Sequence, residues 1–138
     1  RPVTGNGFVR EKLILPTGKA ICDGWCSSTR RMEMQIPVQC YFIVFMAGTN
    51  DLGQGAKPFD FMKSVKNVIE WILINRPKSK LFVSTLIPRR KEVTDNSELY
   101  VNEIHLISKD YAEMTKEVCG TMHVDYIDLY LECDYFIN

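Results

Sequence analysis

Residues 41–51 have the sequence YFIVFMAGTND, in which an apolar run ends at Gly48 and is followed by Thr49, Asn50 and Asp51. An apolar run of this length, bounded by glycines, is typical of a buried strand in a parallel sheet. Open α/β sheets place their ligand crevice just past the carboxyl ends of such strands, where these polar residues fall. Gly48 permits close backbone approach, and the Asn50 amide can donate a hydrogen bond to a developing negative charge.

Composition limits the classes of protein to which the chain can belong. Its 138 residues are 46% hydrophobic and 25% charged, which predicts a single domain over 1–138. Lys+Arg and Asp+Glu number 17 each, and this balance argues against a nucleic-acid-binding surface. No apolar run approaches the roughly 20 residues of a membrane-spanning helix, so we expect no membrane span. Residue 1 is Arg rather than Met, so the sequence can begin inside a longer gene product, and a removed leader is compatible with it.

The cysteines favour reduced thiols over a metal site. There are five, at Cys22, Cys26, Cys40, Cys119 and Cys133. Only the first two are close together, and no second ligand pair follows at zinc-finger spacing. Several lie in apolar segments, where a free thiol behaves as a small hydrophobic group. We therefore expect no metal and no cofactor, and the thiols favour a reducing, cytoplasmic compartment.

Strand-like and helix-like segments alternate along the chain. This order predicts an α/β fold, as a three-layer α/β/α sandwich with a parallel, flavodoxin-like sheet. In the helix predicted from Asn96 or Ser97 to about Cys119, the inner stripe is Val101, Ile104, Tyr111 and Val118, and Gly120 is the stop. The predicted strands are 19–23, 39–47, 80–87 and 124–130, and the other predicted helices are 27–35 and 58–75.

A second polar turn, at residues 24–29, follows the first of these strands. The carboxyl ends of parallel strands share one edge of the sheet, so Gly24 and Asn50 are expected to lie near each other. A backbone N–H from Gly24 and the Asn50 amide could converge on one oxygen atom, which is the arrangement of an oxyanion hole.

These residues resemble the SGNH (GDSL-type) hydrolases. The family's Gly-x-Asn-Asp block after the third strand matches Gly48, Asn50 and Asp51 in full. Its Asn-x-Gly-x-Ser-Gly-x-Thr block is matched in part at 22–29, by Gly24 and Thr29. The apolar-Pro pair at 87–88 and the segment 124–129 are also similar to the family, and the resemblance covers roughly 19–138. It implies a serine ester hydrolase acting on a small-molecule ester, with Gly24 and Asn50 as oxyanion donors and Gly48 and Asp51 supporting the loop.

The chain departs from the family at both ends of the catalytic triad. No Gly-Asp-Ser occurs in it, and no Asp-x-x-His follows the last predicted strand. Two hypotheses remain open. Either the 138 residues are part of a longer hydrolase that carries the triad, or they are a catalytically inactive binding module on the same fold. A flavodoxin-like nucleotide-binding domain is a weaker alternative, because 5–7 is a poor phosphate loop.

Other residues also have plainer interpretations, which we favour for the histidines, the serines and the basic loop. His105 is expected half-exposed in the helix after residue 96, and His123 at the amino end of the last strand, away from the crevice. Ser27 and Ser28 are expected to cap a helix rather than to act as nucleophiles. The basic residues 89–91 are expected to form a solvated loop rather than an anion site. Trp25 is expected either to line a pocket or to cover the core, and Asp51 either to brace the Asn50 loop or to form an exposed cap. The plain alternative to a functional site at residues 48–51 is that they form only a turn.

Overall fold

The structure, a computed structural model, describes residue 36 and residues 38–92 and 97–137. Three parallel strands and four helices make up the described part, which confirms the α/β class. In chain order these elements are β1 (Phe42–Met46), α1 (Thr49–Gln54), α2 (Pro58–Asn75), β2 (Lys80–Ser84), α3 (Ser108–Met122), β3 (Tyr126–Ile127) and α4 (Leu129–Ile137). The predicted strand at 19–23 and the predicted helix at 27–35 lie outside the described residues.

The strands are parallel and lie in the order β1-β2-β3. β1 alternates along its length: Ile43 and Phe45 are buried, whereas Phe42, Val44 and Met46 are 53%, 52% and 52% exposed. The prediction of a parallel strand is confirmed by its pairing with β2, but the predicted burial holds only for alternate residues of the strand. Successive side chains of a strand point to opposite faces. Only one set of β1 side chains belongs to the core shared with the helices.

The helix α2 has the bounds that the sequence predicts. Pro58 occupies the first turn, where its missing N–H has no helical partner to lose, and Pro77 follows the helix end. Its apolar face is buried against α3 and the sheet, and consists of Phe61, Val65, Val68, Ile69, Trp71 and Ile72. Because these apolar residues recur at helical spacing, they lie on one face of the helix, and that face can pack into the core.

The helix α3 begins twelve residues later than the earliest predicted start, at Ser108 rather than Asn96. Residues 97–107 instead form a loop, so the predicted helix start is wrong. Val101 is exposed and Ile104 is only partly buried, whereas Tyr111 and Val118 are in the core as predicted. The predicted stop at Gly120 is also wrong, because the helix continues to Met122 and His123 ends it in the left-handed conformation.

The last predicted strand is shorter than expected. β3 covers only Tyr126–Ile127, and α4 begins at Leu129. Asp128 lies at this junction, where its Oδ1 accepts a hydrogen bond from Leu131 N (3.1 Å). Its Oδ2 is 2.9 Å from Lys116 Nζ, and both side chains are about a quarter exposed. The carboxylate thus caps α4 and ties it to α3.

We expect Asp128 to make the fold sensitive to acid. Burial raises the pKa of Asp128, but hydrogen bonds from Lys116, Leu131 N–H and Thr85 outweigh burial and leave the pKa below its ordinary value. A carboxylate with a lowered pKa in the folded state stabilises the protein above its unfolded pKa of about 3.9. This stabilisation is lost as the pH falls through the lower, folded value. D128N should remove about 0.5–1 kcal/mol of free energy of unfolding at pH 7, and much less near pH 2.

Urea unfolding of D128N and of the parent protein at pH 7, 4 and 2 measures this difference. E113Q is the matched control, since Glu113 also pairs with Lys116 but is mostly exposed. It should change the free energy of unfolding by much less at every pH. A D128N deficit that stays constant from pH 7 to pH 2 would show that the charge of Asp128 is not involved.

Candidate functional site

The candidate site lies at the carboxyl end of β1, where Gly48 starts the turn into α1. Gly48 has φ 128° and ψ −27°, a conformation that side chains strongly disfavour. A Cβ at this position would lie 3.4 Å from Leu86 and 3.5 Å from Phe61, so the turn rests directly on the core. A glycine is therefore required here by the backbone conformation.

Asn50 and Asp51 lie in the first turn of α1 but differ in exposure. The Asn50 side chain is exposed at the carboxyl edge of the sheet. Asp51 is 1% exposed, so it is not a solvent-exposed cap. The chain enters the helix directly, with Leu52 N donating to Gly48 O at 2.8 Å. The Gly-x-Asn-Asp block thus places an exposed asparagine next to a buried aspartate.

The carboxyl end of α1 is fastened by Asn102 and Tyr111. Asn102 Nδ2 donates to Leu52 O (3.1 Å) and to Tyr111 Oη (3.1 Å), and Tyr111 Oη donates to Ala56 O. Asn102 Oδ1 accepts from the backbone N–H groups of Ile104 (3.1 Å) and Leu106 (2.9 Å). One buried amide therefore holds both α1 and the loop that precedes α3.

The amino end of α1 is contacted by Arg89, which follows β2. Its Nη1 donates to Thr49 O at 3.4 Å, a long hydrogen bond. The guanidinium also lies 4.2 Å from the centre of the Tyr100 ring. A Cβ at Gly53 would be only 2.9 Å from Nη1, so the guanidinium lies close against α1. Fastening at both ends gives a six-residue helix the order that it could not maintain alone.

The structure brings together only part of the predicted site. Asn50, Gly48 and Asp51 form one turn, whereas Gly24 lies outside the described residues, as do Trp25, Ser27 and Ser28. The proximity of Gly24 and Asn50 therefore stays a prediction.

The two histidines are exposed. His105 lies in a turn with φ 64°, not in a helix as predicted, because the contacts of Asn102 impose a turn there. His123 immediately follows α3 and precedes β3, as expected.

The basic loop differs from its expected solvated form. Lys91 is exposed and pairs with Glu98 at 2.9 Å, in agreement with the prediction. Arg89 is partly buried and stacked on Tyr100, which sequence reasoning missed. An aromatic residue eleven positions beyond an arginine gives no local signal, and the α1 contact of Arg89 is 40 residues away.

The residues that the structure describes contain no group of three or more His, Cys, Asp or Glu side chains placed to hold a metal ion. None of their helices combines the length and apolar character needed to cross a bilayer.

Solved structures show the same fold as this chain. A possible lipase from Chitinophaga pinensis superposes with a TM-score of 0.61 at 18% identity, over 82% of this chain and 49% of its own. A protein from Lactobacillus plantarum gives 0.63 at 17% identity, over 72% and 51%. A third structure gives 0.62 at 22% identity, over 73% and 51%. No protein-family model and no curated protein matches the chain.

These likenesses concern the fold alone. The chain spans about half the length of the solved structures that it matches.

Proposed function

We propose that the chain is part of an SGNH-type serine ester hydrolase, in which Asn50 is one donor of the oxyanion hole. The observation that carries this proposal is the turn after β1, where a glycine with positive φ and a buried Asp51 flank the exposed Asn50 at the carboxyl edge of a parallel sheet. The fold shared with a possible lipase supports the same conclusion.

In this proposal Asn50 acts when a serine attacks the ester carbonyl. The carbonyl oxygen gains negative charge in the tetrahedral intermediate, and the amide N–H of Asn50 donates to it. The backbone N–H of Gly24 is the proposed second donor. A donor held in place before the reaction stabilises the charge without reorganising at that moment. The contacts at both ends of α1 supply this fixed position.

The serine and the histidine are not assigned to any of the 138 residues. In the proposed enzyme they belong to Gly-Asp-Ser and Asp-x-x-His blocks of the full gene product, where the histidine takes the proton of the serine. The ester is a small molecule. Its acyl group is transferred to the serine while the alcohol leaves with a proton from the histidine, and water then attacks the acyl-enzyme and releases the carboxylic acid.

A fluorophosphonate probe on the full-length protein tests this proposal. Such a probe phosphonylates an activated serine with loss of fluoride, so we expect covalent labelling of the native protein and none after heat denaturation. Peptide mapping should place the label on a serine in a Gly-Asp-Ser sequence. A folded full-length protein that takes no label would contradict the esterase and favour the inactive binding module.

A further inference from the structure

Arg89 is a cation at the carboxyl edge of the sheet, close to the candidate site. Its Nη1 lies 3.4 Å from the carbonyl oxygen of Thr49, the residue that precedes Asn50. Arg89 is partly exposed, so a ligand bound at the carboxyl edge of the sheet can reach it. A substrate whose carbonyl oxygen faces Asn50 would therefore place its neighbouring groups near the guanidinium.

The position of this guanidinium is fixed from several sides. The backbone N–H of Arg89 donates to Ser108 Oγ at 3.1 Å, and its carbonyl accepts from Tyr100 N at 3.0 Å. The guanidinium carbon lies over the Tyr100 ring, 4.2 Å from its centre, and Gly53 leaves the space that Nη1 occupies. An arginine ordered in this way loses little further conformational entropy when it binds a ligand.

The charge of Arg89 has no carboxylate partner within the described residues, in contrast to those of Lys91 and Lys116. Lys91 pairs with Glu98, and Lys116 pairs with Glu113 and Asp128. The one side-chain hydrogen bond recorded for Arg89 in the described part of the chain is the long one to Thr49. A guanidinium offers five N–H donors in a planar fork that fits two oxygens of a carboxylate or a phosphate.

We propose that Arg89 binds an anionic oxygen group, a carboxylate or a phosphate, carried by the ester substrate next to its scissile bond. This proposal rests on the proposed function, because only an ester hydrolase would bind the anion as part of an ester substrate. Tyr100 orients the guanidinium, and Gly53 leaves room for it. The preferred substrates are then acidic esters rather than neutral ones.

The substrate preference is tested with two activated esters of one alcohol, 4-nitrophenyl acetate and mono-4-nitrophenyl succinate, on the full-length protein at about 0.15 M salt, where long-range attraction is screened. R89M removes the contact with Thr49 for both esters, so both can lose activity, but kcat/KM for the succinate ester should fall about 10- to 100-fold more than for the acetate ester, as expected for the loss of one charge-assisted contact. K91M is the matched control, because it removes the same charge two residues away and should preserve the preference. Equal losses in both variants, or an unchanged preference in R89M, would overturn the proposal.

Binding without turnover separates this proposal from the esterase. Inorganic phosphate and succinate are titrated calorimetrically into the full-length protein, into R89M and into K91M. Binding of either anion that is lost in R89M and kept in K91M supports the site and shows which oxygen group it takes. Absence of binding by both anions to the parent protein would overturn it. Arg89-dependent binding in a protein that hydrolyses no ester would refute the esterase alone.

A second variant tests the position of Arg89 without changing its charge. G53A adds a methyl group 2.9 Å from Nη1 and so must displace the guanidinium. Alanine is favourable in a helix, so folding should be preserved. We expect weaker anion binding in G53A, with R89M weaker still. Anion binding at full strength in G53A, with the guanidinium displaced, would contradict the assigned geometry.

Discussion

Replacing Asn50 by alanine in the full-length protein should lower kcat for ester hydrolysis about 10²- to 10³-fold, the usual effect of losing one oxyanion donor. KM should change little, because the amide meets a developing charge that exists only in the transition state. Steady-state kinetics on 4-nitrophenyl acetate measures both constants. Since the side chain is exposed, thermal unfolding should be nearly unchanged, which separates a catalytic effect from a folding defect.

N75A is the matched control for this experiment. Asn75 is also exposed, but it lies at the carboxyl end of α2, and its Nδ2 donates to Trp71 O (2.9 Å). It should leave kcat within about twofold of the parent value, because surface changes away from a site are nearly neutral. Equal kcat values for N50A, N75A and the parent protein would remove Asn50 from the proposed mechanism.

The largest loss of stability is expected at Phe61. This residue is fully buried, and its ring meets Tyr111 edge-on with centroids 5.1 Å apart. F61A removes the ring and leaves a cavity that the core cannot fill, so it should lower the free energy of unfolding by about 3–5 kcal/mol. Urea unfolding followed by far-UV circular dichroism measures this change.

The same helix provides the control for that substitution. Phe59 is 74% exposed, so F59A deletes an identical ring two residues away without opening a cavity. It should change the free energy of unfolding by about 0.5 kcal/mol or less. If the two variants were destabilised equally, the loss at Phe61 would reflect helix propensity or aggregation rather than core packing.

Sequence reasoning succeeded where local signals agree with the fold. The bounds of α2 follow from Pro58, Pro77 and the apolar spacing between them. The position of Asn50 after a parallel strand follows from an apolar run that ends at a glycine. Each of these signals acts within a few residues along the chain.

It failed where a distant contact overrides the local pattern. Val101 and Ile104 have the spacing of a helix, yet they lie in a loop because Asn102 bonds to Leu52, 50 residues away. The role of Arg89 escaped prediction for the same reason, since its contact with Thr49 spans 40 residues. Tertiary hydrogen bonds of this kind leave no periodic trace in the sequence.

The fastening of α1 also determines when the candidate site can form during synthesis. The helix is complete once residue 54 has been made, but its partners Asn102 and Tyr111 follow about 50 residues later. A six-residue helix is unstable in isolation, and closing so long a segment is a slow, non-local step. On the ribosome we therefore expect the turn that holds Asn50 to become ordered only after Asn102 and Tyr111 have been made.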